Sequence, residues 1–165
     1  GYSQADIMLI GEGPGREEDQ QGAPFVGRAG RLLTKILAAA GLKEEELYIS
    51  NVIKCRPRGN RTPERSEMQN CLPFLAREIE LVQPVLVCLM GSVALRGVLN
   101  PEGYITRERG NWVERSGIYF IPTFHPAALL RDEKKKVPVW HDFQSLKKAY
   151  DRYRELKAAG SWPPE

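Results

Sequence analysis

The stretch Ala5 to Arg28, ADIMLIGEGPGREEDQQGAPFVGR, decides how the rest of the chain is read. Its apolar run, Ile7 to Ile10, stops at Gly11, Gly13, Pro14 and Gly15, and an acidic cluster of Glu17, Glu18 and Asp19 follows. A buried strand that feeds a glycine-rich loop presents that loop to something small, because glycine permits backbone shapes and close approaches that a side chain forbids. A loop built for phosphate offers free N–H groups and a lysine. Here Glu12 lies among the glycines and more carboxylates follow, so phosphate fits poorly.

Beyond this stretch, Leu32, Leu33, Ile36, Leu37 and Ala40 recur at helical spacing before Gly41, which predicts a helix from about Gly27 to Ala40. Leu47 to Ile53, rich in β-branched and aromatic residues, reads as a second strand delivering the basic loop Lys54, Arg56, Arg58 and Arg61. Thr62-Pro63 predicts a helix start, with Thr62 as N-cap and Pro63 at the first helical position. Met68, Cys71, Leu72, Leu75, Ile79 and Val82 mark its apolar face, and Pro73 is expected to kink it. Val85 to Met90 reads as a central parallel strand followed by a short helix, Ser92 to Leu99. Trp112 to Glu114 and Ile118 to Ile121, around Ser116-Gly117, predict a hairpin whose second arm delivers PTFHPAALLR, Pro122 to Arg131. Trp140, Phe143, Leu146, Tyr150, Tyr153 and Leu156 predict a closing amphipathic helix before a Gly160 to Glu165 tail. The fold class is therefore α/β, a three-layer α/β/α sandwich with a mostly parallel sheet of about four strands. Ligands in such sheets bind beyond the carboxyl ends of the strands, and nearly every distinctive residue lies in a loop leaving such an end.

A length of 165 residues suits one domain spanning 1–165, and 42% apolar with 27% charged residues is ordinary globular composition. The net charge of +3 permits a polyanionic partner without demanding one. No apolar run approaches the roughly 18 residues of a membrane span, and no charged-then-apolar leader opens the chain; a cytoplasmic protein that does not engage a membrane is expected. Three cysteines, Cys55, Cys71 and Cys88, fit a reducing compartment and leave metal binding or burial as readings; Cys88, in the apolar strand, reads as core.

Several residues carry two readings at this stage. Asn51 ends the second strand, either as a turn cap or as an amide offering donor and acceptor to a planar heterocycle. Phe25 is a core anchor or a stacking platform for a base. His125 is a buried, satisfied histidine or an imidazole aimed out of the strand end by the rigid turn at Pro126, while His141 reads as helix surface. The basic loop and Arg131 are solvated charges or contacts to a nucleic-acid backbone, with Leu129 and Leu130 as a wedge that enters a base stack.

Taken together, GEGPGREEDQQGAPFVGRAG at Gly11 to Gly30, SNVIKCRPRGNRTP at Ser50 to Pro63, Cys71, and HPAALLR at His125 to Arg131 resemble the uracil-DNA glycosylase superfamily, most closely its family 4. The resemblance implies a monomeric enzyme of base excision repair that hydrolyses the N-glycosidic bond of flipped-out deoxyuridine in DNA. It implies that Glu12 and Gly13 line the uracil pocket, Glu18 reaches into it, Phe25 stacks on the base, Asn51 reads its Watson–Crick edge and His125 supports the oxygen that gains charge. The catalytic set is then Glu12, Glu18, Asn51 and His125, with Arg56, Arg58, Leu129, Leu130 and Arg131 facing DNA. Family 4 also implies a four-cysteine 4Fe-4S cluster, of which Cys55 and Cys71 match the last two ligands. The preceding Cys-x-x-Cys pair does not occur in these residues, so the cluster is expected to be incomplete or absent in this chain, and the sequence is expected to derive from a longer protein. A non-catalytic nucleic-acid-binding module of the same fold is the alternative, and a nucleotide-dependent enzyme using Gly11 to Gly15 is a third reading.

Overall fold

The computed structural model describes residues 1–162, in which helices are interspersed among the strands of one sheet. In chain order these are β1 (Ile7–Gly11), α1 (Arg16–Gln21), α2 (Arg28–Ala40), β2 (Tyr48–Asn51), α3 (Arg65–Val82), β3 (Leu86–Met90), α4 (Ser92–Val98), α5 (Ile105–Glu108), β4 (Val113–Arg115), β5 (Ile118–Thr123), α6 (Pro126–Arg131) and α7 (Lys136–Ala158). Of the expected tail, residues 163–165 lie outside the described residues.

The strands form one sheet in the order β2-β1-β3-β5-β4. Four strands are parallel, and β4 pairs antiparallel with β5 as the first arm of the expected hairpin. The sheet therefore has five strands, against the expected four or so. Ser116 and Gly117, at φ 55° and 79°, both turn through the left-handed region, which matches the twist of a tight hairpin. Side chains alternate strictly between the two faces. Ile7, Leu9, Leu86, Cys88, Met90 and Ile121 pack under α2, α6 and α7, whereas Met8, Ile10, Val87, Leu89 and Phe120 pack under α3 and α4. A strand covered on both faces has no polar side, so each reads as a continuous apolar run.

Helix boundaries follow local chemistry. Leu33 and Leu37 bury the core stripe of α2, each contributing about 1.5–3 kcal/mol. The next helix starts later than expected: its N-cap is Glu64, whose backbone N–H donates to Glu67 at 2.8 Å in a reciprocal capping box, so Thr62 and Pro63 precede the helix. It then runs through Pro73 to Val82. The acidic cluster, expected as loop, is α1, with Glu17, Glu18 and Asp19 in its first turn where the helix dipole favours negative charge. It has no buried residue and hence no apolar periodicity to reveal it. The HPAALLR segment is likewise helical, as α6. Among the described residues no helix is long and apolar enough to cross a membrane.

Because β1 lies between β2 and β3, the chain leaves β1 in one direction along the sheet and later returns to its other side. Such a reversal opens a crevice at the carboxyl ends of the strands.

Candidate active site

The loops leaving β1, β2 and β5 close around one cavity of about 320 Å³. Glu12, Gly13, Glu18, Phe25, Asn51, His125 and Arg131 all line it, although they span more than a hundred residues of sequence. Its floor is rigid. The β1–β2 ladder continues past both strand ends, with Val52 N–H donating to Gly11 O and Ile53 N–H to Glu12 O, each at 3.0 Å. Gly11 faces Asn51 in this register, and a Cβ on Gly11 would fall 2.6 Å from the Phe25 ring and 2.7 Å from Asn51 Oδ1. Only glycine lets ring and amide meet there.

Asn51 is 7% exposed, and its Oδ1 is buried without a hydrogen-bond partner. The turn-cap reading requires that oxygen to be occupied. An orphaned acceptor in a cavity wall instead leaves a place for a donor on a ligand.

His125 is the N-cap of α6, and its Nδ1 accepts from Ala127 N–H at 3.0 Å. An accepting Nδ1 carries no proton, so the proton of the neutral ring sits on Nε2 as a donor. Burial, then the Arg131 charge, lowers the His125 pKa to about 4, with Glu18 opposing; the ring is neutral near pH 7. Phe25 stacks on it with ring centroids 5.6 Å apart and planes 27° from parallel. Burial raises the Glu12 pKa above the ordinary carboxylate value, and Arg131 opposes that rise. Glu18 Oε1 accepts from Gly27 N–H at 2.8 Å, which pins this carboxylate at the start of α2.

The cavity thus offers a planar slot with an amide, a neutral N–H donor and two carboxylates. The family model described as the uracil DNA glycosylase superfamily matches residues 1–149. The chain belongs to this superfamily. It is 45% identical over 133 residues to the type-4 uracil-DNA glycosylase of Thermotoga maritima, covering 79% of this chain and 69% of that protein. It is 39% identical over 154 residues to the type-4 enzyme of Archaeoglobus fulgidus, covering 88% and 77%. The type-4 enzyme of Sulfurisphaera tokodaii is 37% identical over 156 residues, covering 89% and 71%.

In this member of the superfamily, the rim around the cavity is less basic than the sequence suggests. Lys54 Nζ donates to Glu78 and Ser50 Oγ at 2.8 Å and to Asn51 O at 3.0 Å, so it braces the floor. Arg61, expected in the basic loop as a solvated or DNA-facing charge, makes a two-pronged pair with Glu67 at 2.7 and 2.8 Å and lines the cavity together with Asn60, which the sequence reading did not single out. Arg58 and Arg131 are exposed, and Arg56 donates through Nε to Asn60 Oδ1 at 2.7 Å. The expected leucine wedge divides in two. Leu129 is 2% exposed and belongs to the core, because it lies on the inner face of α6; Leu130, one residue on, is 41% exposed. His141 is exposed on α7, as expected.

Cys55 is exposed, Cys71 half-buried and Cys88 buried. Burial, with the charge of Asp142, pushes the Cys88 thiol well above its usual pKa. Among the described residues, no group of three or more His, Cys, Asp or Glu side chains is gathered as a metal site. Two thiols do not complete a four-thiolate cluster, so the residues present do not fit a 4Fe-4S group by themselves.

Proposed function

We propose that this chain is a uracil-DNA glycosylase: it hydrolyses the N-glycosidic bond of deoxyuridine in DNA and releases uracil. The reading rests above all on the buried Asn51 Oδ1, which has no hydrogen-bond partner within the protein and lines the same cavity as the neutral His125 ring, in a chain of this superfamily. Uracil carries a donor at N3 and an acceptor at O4, which match the amide oxygen and amide N–H₂ of Asn51. Cytosine has an acceptor at N3 and an amine at position 4, so both pairs become mismatches, each costing about 1–3 kcal/mol in a buried site. Phe25 provides an apolar face for the flipped base, and a target inside a duplex has to leave the stack to reach it.

When the C1′–N1 bond breaks, its electron pair goes to the base and spreads onto O2, leaving an oxocarbenium-like sugar. His125 donates a hydrogen bond to that oxygen. As a neutral imidazole fixed by Ala127, it needs no reorganisation as charge develops. Water then adds to C1′ and gives up a proton. Glu12 is the better acceptor, because burial strengthens its hold on a proton, while Glu18 is pinned by Gly27 and contributes fixed negative charge near the sugar cation. Arg131 and Arg58, with the exposed Leu130, meet the DNA backbone and the gap left by the flipped base.

Uracil release from a defined single-stranded oligonucleotide tests the proposal, with the same oligonucleotide carrying cytosine as control. Abasic product from the uracil strand alone is expected. Salt-dependent association without abasic product would instead identify a non-catalytic binding module.

A further inference from the structure

Behind His125, on the core side of the sheet, lies a buried polar network outside the cavity. Asp142, on α7, is 3% exposed, and Thr123, the last residue of β5, is 0% exposed. Asp142 Oδ2 accepts from Thr123 Oγ1 at 2.6 Å and from Arg109 Nε at 2.9 Å, while a second Arg109 nitrogen donates to Asp142 Oδ1 and, at 3.2 Å, to Pro138 O. The backbone of the same strand end is held too. Gly110 N–H donates to Pro122 O and Gly91 N–H to Thr123 O, both at 2.8 Å. Gly91 sits at φ +96°, and a Cβ there would fall 3.0 Å from His125 Cβ.

An ion pair whose carboxylate is buried is a poor source of stability, because desolvating that charge offsets much of the attraction, and well-packed apolar residues often do as well. What it supplies is direction. The forked Arg109 fixes the carboxylate, the carboxylate fixes the Thr123 hydroxyl, and His125 follows two residues later with its Cβ against Gly91. From this geometry we infer that Asp142, Arg109 and Thr123 form a positioning triad that sets where His125 holds its N–H donor. The inference rests on the proposed role of His125 in uracil release. Asp142 could have been noticed in the sequence as an acid beside Phe143 on the apolar stripe of the last helix.

Thr123→Val and Thr123→Ser in the whole chain test the triad. The valine removes the hydroxyl at nearly constant shape, and the serine restores it. Thr123→Val is expected to lower kcat for uracil release about tenfold, as small displacements of a reacting group do, with KM for the oligonucleotide little changed. Its NMR signals from the His125 ring are expected to move while those of His141, the other histidine, stay in place. Thr123→Ser is expected to recover most of the lost kcat. If Thr123→Val fails to fold, Asp142→Asn, which keeps the shape but weakens the acceptor, is expected to give the same pattern. Parental kcat in the valine variant, an unmoved His125 signal, or a serine variant as impaired as the valine would overturn the inference. An inactive parent chain would instead count against the proposed activity itself.

Discussion

Asn51→Ala is expected to separate activity from stability in opposite directions. Asn51 Oδ1 is buried without a hydrogen-bond partner from the protein, and such a group costs up to about 1–3 kcal/mol. Alanine removes the orphan, and the vacated space joins an open cavity, so no sealed void forms and the usual cavity penalty does not apply. The expected change in unfolding free energy is therefore zero to about 1 kcal/mol of added stability, measured by urea denaturation. Excision moves the other way. Losing both hydrogen bonds to a base that is gaining negative charge is expected to slow single-turnover uracil release by about 10²–10³-fold. Discrimination between uracil and cytosine strands should shrink with it. A variant that keeps the parental excision rate, or one that loses more than about 2 kcal/mol of stability, would refute the claim that this oxygen is held empty for the base.

Three other outcomes follow from the same geometry. Because the His125 pKa falls from 6.5 to about 4 on folding, the unfolded chain binds the extra proton between these values. Stability is then fully present above pH 6.5 and declines as pH falls towards 4, by on the order of 3 kcal/mol; urea unfolding across this range should show the slope, and His125→Ala should flatten it and slow excision about 10²–10³-fold. Leu129→Ala should cost roughly 2–5 kcal/mol of stability as a core deletion, whereas Leu130→Ala should leave stability nearly unchanged and slow excision from duplex more than from single-stranded DNA. Arg131→Gln should reduce the log–log salt slope of DNA binding by about 1, while Arg61→Gln, whose charge is already paired with Glu67, should leave that slope unchanged.

Much of this was already legible in the order of residues. Ile7 to Ile10 and Leu86 to Met90 read as buried strands because a strand covered on both faces is apolar throughout, and α2 and α7 announced themselves by their core stripes. The loops that line the cavity were conspicuous for the same local reason: glycines, a Pro after His125, and polar residues placed where strands end. Signals that depend on one turn of backbone or one run of side chains survive in sequence. The exposed helix α1 carried no such signal, and the start of α3 was set by a Glu64–Glu67 box competing with a plausible Thr62 cap.

Other properties arise only where distant segments meet. Leu129 and Leu130 are identical in sequence terms, and the packing of α6 on the core makes one structural and leaves the other exposed. Lys54 and Arg61 read as free cations until Glu78 and Glu67, on α3, are brought against them. The unpartnered oxygen of Asn51, the neutral ring of His125 and the network from Asp142 to Thr123 are likewise absent from any local pattern. Burial and hydrogen-bond satisfaction are sums over the whole surroundings of an atom, and those surroundings exist only once the chain has folded.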